Sequence, residues 1–457
     1  MHASTLKDER SAVPGAGQVL LLAWPMTLKA VFLHGTIVID GWLVSSLGEQ
    51  SLAAMGLAAA IGGIALGVIF AFSHAMQIRT AQVFGAHEPV FQKSVLVSGL
   101  FVSLSIGIFG LGFIFAFGEN LIIALAPSDD IAAEAWSYLA VFSLVILLET
   151  VGQCLSSYFN GCGRTRLPLY GYCLSVPINV LASVVLIHGY LGMPALGVVG
   201  AAMGSVIAIL VQVAFFVVKL QVIDGWLRKV HGWRNGSLSM TLWRHIVFAL
   251  PIAATFISAT VATHVCTLIF ANMRLNDFAA LTLIAPWSMV IGQISIQWTQ
   301  ATGIIVAQLL GERASEETLD RFLSHAWRGA FVAAGVVAAV FVALALSVDT
   351  LYSELSDDTR QTLFSFLPIL LLTTFPRTTN AICGNTLRAS GDTIYVMHIF
   401  VWSQWLFRVP ATALAVLVFD VSALWVLSII LAEELLKFWP FHKRLWRGEW
   451  KHADVAA

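Results

Sequence analysis

Charge is scarce in this sequence. Lys+Arg (25) and Asp+Glu (26) together supply 11% of 457 residues, against about 25% in soluble domains. A water-soluble protein with 58% hydrophobic residues and a mean hydropathy of +0.84 could not cover its own surface, which excludes a soluble multidomain enzyme. A net charge of −1 offers no basic surface to neutralise phosphates, which excludes a nucleic-acid binder. Cysteine is equally sparse. Cys154, Cys162, Cys173, Cys266 and Cys383 are odd in number and form no CxxC or Cys/His spacing, so neither a disulfide framework nor a zinc site is indicated. They read as small apolar residues in helices. No short apolar core with a small-residue cleavage site follows the polar residues 1–17, so the first apolar run is expected to be an uncleaved anchor. What remains is a chain whose solvent is lipid: an all-α polytopic membrane protein.

A spanning helix needs about 20 mostly apolar residues. Stretches 50–78, 94–118, 167–218, 245–273, 278–311 and 329–348 carry no Asp, Glu, Lys or Arg, and the turn residues His188 to Pro194 split the third of them into two. Four further runs hold embedded charge: Asp40 in 18–44, Glu149 in 135–163, Arg377 in 361–387 and Arg408 in 393–419. A last run covers about 421–441. The count is twelve. With an even count, both termini lie on one face. That face takes 20 of the Lys and Arg residues, Lys437 among them, while the other takes only Arg274 and Arg360. By the positive-inside rule both termini are expected in the cytoplasm.

The halves echo one another. Ala23-Trp24-Pro25-Met26 returns as Ala249-Leu250-Pro251-Ile252, and Ala53-Ala54 as Ala279-Ala280. Ala81-Gln82-Val83-Phe84-Gly85 returns as Ala307-Gln308-Leu309-Leu310-Gly311, all three at an offset of 226. Phe159-Asn160-Gly161-Cys162-Gly163-Arg164-Thr165 matches Leu387-Arg388-Ala389-Ser390-Gly391-Asp392-Thr393 at 228. Six spans used twice give parallel halves related by a pseudo-two-fold along the membrane normal, a device of transporters whose substrate site lies between the halves. The expected organisation is a tail 1–17, a six-helix bundle 18–223, a cytoplasmic linker 224–243, a second bundle 244–441 and a tail 442–457.

Ionisable groups inside spans are costly and usually functional. Five stand out: Lys29, Asp40, Glu149, Arg377 and Arg408. Asp40 is the strongest candidate, 15 residues after Pro25, whose missing N–H permits a hinge in the helix. A carboxylate in low dielectric can take up and release a proton. Lys29 is about 16 Å from Asp40 by helical rise and is expected to reach toward an interface. Glu149, Gln153, Ser156 and Asn160 step by 4, 3 and 4 and line one helix face. At the offset of 228 Glu149 corresponds to Arg377, so the two are expected to face each other across a central cavity. Trp287, Trp298, Trp402 and Trp405 lie deep enough either to line a pocket for a flat ligand or to pack. Trp136, Trp243, Trp439, Trp446 and Trp450 fall near interfaces, where a belt role is expected.

Asp40-Gly41-Trp42-Leu43-Val44-Ser45-Ser46-Leu47-Gly48, followed by Leu52-Ala53-Ala54-Met55-Gly56-Leu57, resembles the first-span signature of the multidrug and toxic compound extrusion (MATE) transporters. Gly197-Val198-Val199-Gly200-Ala201-Ala202 and Leu387-Arg388-Ala389-Ser390-Gly391-Asp392-Thr393 are similar to two further family patterns. The resemblance implies a V-shaped pair of six-helix bundles that exports organic compounds in exchange for H⁺ or Na⁺. It also implies a coupling site in which Asp40 and Asn179 match the family. Ser183 stands where a second acid is usual, and Ser205 where Thr is. One carboxylate is a poorer sodium cage than two. The NorM-like branch places acids where this chain has Ala259 and Arg377. Both departures point to a DinF-like, proton-driven antiporter.

Three basic and two acidic embedded groups suit zwitterionic or anionic amphiphiles as cargo. The expected partners are a small organic substrate, H⁺ or less readily Na⁺, and the bilayer of the plasma membrane (the inner membrane of a bacterium). No nucleic acid, cofactor or metal centre is expected, and the chain is expected to act as a monomer. A lipid-linked oligosaccharide or lipid flippase is the rival reading, disfavoured by twelve spans and the Asp40 signature. An embedded enzyme would need convergent acid–base or metal groups, and a channel a filter-like ring. Neither is found.

Overall fold

The computed structural model describes residues 13–224, 237–351, 356–453 and 455. Several charges used for orientation, including Lys7, Arg10, Arg228, Lys229, Arg234 and Glu354, lie outside them, as does most of the expected linker (225–236). The described residues form twelve long helices and no strand: α1 Ala16–Ser45, α2 Glu49–Gly85, α3 Pro89–Leu125, α4 Asp129–Gly161, α5 Arg166–His188, α6 Val198–Asp224, α7 Ser237–Phe270, α8 Leu275–Gly311, α9 Glu316–Leu346, α10 Asp357–Ala389, α11 Thr393–Val418 and α12 Ala423–Trp446. Ten are long and apolar enough to cross a membrane. The other two are the more polar α10, with Arg377 and a run of threonines, and α12, with Glu433, Glu434 and Lys437. Two expected boundaries move. α7 starts at Ser237, inside the expected linker 224–243, and α12 runs past 441 to Trp446.

The repeat is written in helix geometry. α2 and α8 are each 37 residues long with first residues 226 apart, and α4 and α10 are each 33 long with first residues 228 apart. Both members of the second pair open alike. Ser128 Oγ accepts from the Ile131 amide and Ser356 Oγ from the Thr359 amide, with two aspartates in the first turn of each. Such caps satisfy free N–H groups and complement the helix dipole. Both members also close alike. Gly163 and Gly391 take positive φ, and the amides of Arg164 and Asp392 return to the carbonyls of Phe159 and Leu387. That closure needs a left-handed residue, which is why the motif recurs. After α2 and α8 a non-glycine residue does the same work, His87 (φ 56) and Arg313 (φ 54).

By packing, the chain forms two units. One comprises Leu28–Phe84 and Glu88–Ile257; the other comprises the described residues up to Thr27, Gly85–His87 and the chain from Ser258 onward. The divisions therefore fall inside α1 and α7, not at the ends of helices. In the first unit Val44, Ala58, Ile69, Leu139 and Ala202 form one core, and Met76, Leu96, Phe159 and Phe216 another. In the second, Ala280, Phe366 and Ala423 join α8, α10 and α12, and Ile291, Val337 and Phe341 join α8 to α9. Lipid gives helices no hydrophobic drive to associate, so close approach at small residues supplies the packing. A Cβ on Gly200 would fall 2.7 Å from the Leu186 carbonyl oxygen, and one on Gly204 2.2 Å from Ser183 Oγ. Those two glycines bring α5 and α6 together.

Candidate functional site

The α5–α6 contact creates the first polar cluster. Asn179 Nδ2 on α5 donates to Ser205 Oγ on α6 at 2.8 Å, and that hydroxyl donates to Asp40 Oδ2 on α1 at 3.4 Å. Ser183, one turn beyond Asn179, packs on Gly204 beside Ser205. Tyr138 on α4 is also buried. The four residues drawn from the family resemblance, Asp40, Asn179, Ser183 and Ser205, thus meet although they come from three helices. All are buried. Among the described residues, Asp40 Oδ1, Asn179 Oδ1 and Ser183 Oγ have no hydrogen-bond partner. The cluster therefore offers several oxygens and a single carboxylate. Pro25 lies in the interior of the same helix as Asp40.

A second cluster lies in the same unit. Lys29 Nζ donates to Ser156 Oγ at 2.7 Å and to Gln153 Oε1 at 3.3 Å, and stands 5.4 Å from the Tyr172 ring centroid. Gln153 Nε2 donates to Glu149 Oε2 at 3.0 Å and to the Tyr172 hydroxyl at 2.8 Å. Lys29 and Glu149 are thus linked through Gln153. Here the expectation for Lys29 is corrected. Instead of reaching toward an interface it turns onto the α4 stripe, whose acceptors offset the cost of an embedded ammonium. The stripe itself divides, because Asn160 Nδ2 donates to Gln77 Oε1 on α2 at 3.1 Å and so fastens α4 to α2.

The second unit holds a charged cluster that the sequence reading left largely unnoticed. Glu433 and Glu434 on α12 are buried, and Lys437 Nζ bridges them at 3.3 and 3.0 Å. Arg408 on α11 meets Glu433 Oε2 at 3.4 Å, and Ser403 Oγ donates to Glu433 Oε1 at 3.1 Å. Asn380 Nδ2 on α10 donates to the carbonyl and to Oε2 of Glu434 at 2.8 and 3.0 Å. Arg377 reaches Glu434 Oε1 through Nε at 3.5 Å. Ser403–Arg408 forms a π-helical turn, a local widening frequent at functional positions. Lys437, assigned above to the cytoplasmic face, is corrected to a buried bridging cation. The signal was present: within the last apolar run Lys437 follows Glu433 by four residues and Glu434 by three, the spacings at which helix side chains pair. Inside their own units Arg377 pairs with Glu434, and Glu149 is joined to Lys29 through Gln153.

The tryptophans divide. Trp287 lines a small, wholly apolar pocket with Ile284, Phe341, Leu344, Leu367 and Leu370. Trp298 is buried and packs, its Nε1 donating to the Ala326 carbonyl at 3.1 Å while its ring covers Gly329. Trp243, Trp439 and Trp446 are exposed, in keeping with a belt. Trp450 is not: it is buried and donates to the Leu445 carbonyl.

Comparison with known proteins agrees with this geometry. The MatE family profile matches residues 25–185 and again 251–414. A probable multidrug resistance protein NorM of Agrobacterium fabrum is 26% identical over 62% of this chain and 57% of its own length. A second, of Bradyrhizobium diazoefficiens, is 30% identical over 41% of this chain and 40% of its own length. The chain therefore spans about half the length of these curated relatives. An uncharacterised transporter, YisQ of Bacillus subtilis, is 22% identical over 93% of this chain and 94% of its own. Among solved structures, the Vibrio cholerae MATE transporter VcmN in its bent form superposes with a TM-score of 0.81 at 17% identity, covering 95% of this chain and 98% of that one. The eukaryotic MATE transporter AtDTX14 gives 0.79 at 17%, covering 96% and 98%. The two profile matches start at Pro25 and Pro251, so the family's own pattern occurs twice here at the offset of 226. The chain belongs to the MatE family of multidrug and toxic compound extrusion transporters.

Proposed function

We propose that this chain is a secondary antiporter that exports amphiphilic organic compounds in exchange for H⁺, with Asp40 as the proton carrier. The observation that carries the reading is the environment of Asp40. It is a buried carboxylate, it forms no ion pair among the described residues, and one weak hydrogen bond from Ser205 is its only tie. Such a group is free to exchange a proton during each cycle without breaking a salt bridge. Ser183 in place of a second acid argues in the same direction and supports a chain nearer the DinF-like than the NorM-like branch. The names of the NorM relatives support multidrug compounds as cargo. The excess of Lys and Arg on one face supports cytoplasmic termini in a plasma membrane, and the clusters closed within one chain support a monomer.

The test is dye transport in proteoliposomes, driven separately by a proton and by a sodium gradient. The proton gradient alone is expected to drive transport. Asp40→Asn is expected to reduce that transport at least tenfold while leaving dye binding in detergent intact. Transport by Asp40→Asn at the wild-type rate would sink the proposal. Movement of lipid analogues without any gradient would favour the flippase reading instead.

A further inference from the structure

We infer that Arg377 is the recognition point for an oxyanion carried by an amphiphile, above all a carboxylate. The inference deepens the transport reading by naming a cargo class, and it rests on that reading for the direction of movement but not for binding. The charged cluster of the second unit contains three cations, Arg377, Arg408 and Lys437, and two anions, Glu433 and Glu434. It is one negative charge short. The deficit falls at one residue. Both carboxylates are engaged from within: Glu433 by Lys437, Ser403 and Arg408, and Glu434 by Lys437 and by one hydrogen bond from Asn380 Nδ2 to Oε2.

Arg377 touches Glu434 only through Nε and makes no hydrogen bond to any described residue. Half of its side chain is exposed, whereas those of Glu433, Glu434 and Lys437 are under a tenth exposed. Its guanidinium is thus the most exposed charge of the cluster. An embedded guanidinium without a full set of partners is costly. A planar two-oxygen anion matches its paired N–H groups and supplies the missing charge.

The experiment measures equilibrium binding of a fluorescent dye bearing one carboxylate, and of its methyl ester, to the purified full chain in neutral detergent. Wild type is expected to bind the acid at least tenfold more tightly than the ester. Arg377→Gln should abolish that preference by weakening the acid at least tenfold, leaving the ester unchanged. Arg377→Lys keeps the charge without the fork and should fall between, which keeps the inference testable if the Gln variant does not fold. Equal affinity for acid and ester in wild type, or an unchanged acid affinity in both variants, overturns it. An anionic lipid headgroup offers the same oxyanion. Competition by phosphatidylglycerol that is lost in the Arg377 variants assigns the point to a headgroup, and its absence assigns it to a free carboxylate. If the acid binds through Arg377 but no proton gradient moves any dye, the antiporter reading fails and this one stands. Proton-driven transport with no preference for acid over ester is the converse.

Discussion

The ammonium of Lys29 on α1 donates to the hydroxyl of Ser156 on α4 at 2.7 Å, across 127 residues of sequence. Through Gln153 it is linked to Glu149, so a base and an acid that share neither helix nor motif form one neutral unit.

That linkage predicts energetic coupling. Lys29→Met removes the ammonium that fastens Gln153 and Ser156, and Glu149→Gln removes the acid that the Gln153 amide joins to it. Each single variant should melt well below wild type in detergent, and the double variant should recover part of the loss. The coupling expected from a thermodynamic cycle is about 1–3 kcal/mol. A coupling of zero would mean that the two charges are neutralised separately.

The buried cluster on α12 predicts a sharper loss. Glu433→Gln leaves Lys437 and Arg408 to share what remains, and removing one partner of a buried pair costs about 3–5 kcal/mol. Adding Lys437→Met to that variant should return most of the stability, because the surplus cation goes with the lost anion. Denaturant titration in detergent checks both. A double variant no more stable than the single one would show that Lys437 is held by something other than the carboxylates.

Gly204 predicts a steric effect on the Asp40 cluster. A Cβ there would meet Ser183 Oγ at 2.2 Å and the Ser183 backbone nitrogen at 2.7 Å, so α5 and α6 must part. Overpacking of this kind costs about 1–3 kcal/mol, and it pulls Ser205 away from Asn179. Gly204→Ala should therefore lower both the melting temperature and proton-driven transport. Gly63→Ala, where a Cβ meets nothing within 4 Å, should be neutral or slightly stabilising. Equal behaviour of the two variants would contradict the close approach.

What could be read ahead of the structure follows from how local each signal is. The Gly163 and Gly391 closures are set by a few consecutive residues, so the repeat was visible as a motif. The polar face of α4 was visible as a spacing. Asp40, Asn179, Ser183 and Ser205 were found through a family pattern that already encodes which helices meet. Lys29 was misplaced because its partners lie on another span, and periodicity within α1 carries no information about α4. Glu433 and Glu434 were overlooked for a different reason. They sit in an otherwise apolar run, and Lys437 at i+3 and i+4 cancels much of the charge that would have drawn notice. The partner of Arg377 could not be inferred from an offset between repeats, because the neutralising acid sits on α12, a helix whose counterpart α6 carries no acid at the matching depth.

The unit boundaries inside α1 and α7 bear on how the protein is made. Residues 13–27 group with the chain from Ser258 onward, while residues 237–257 complete the earlier unit. Neither unit is therefore complete with six consecutive helices: the first needs the opening of α7, and residues 13–27 find the rest of their unit only in the second half of the chain.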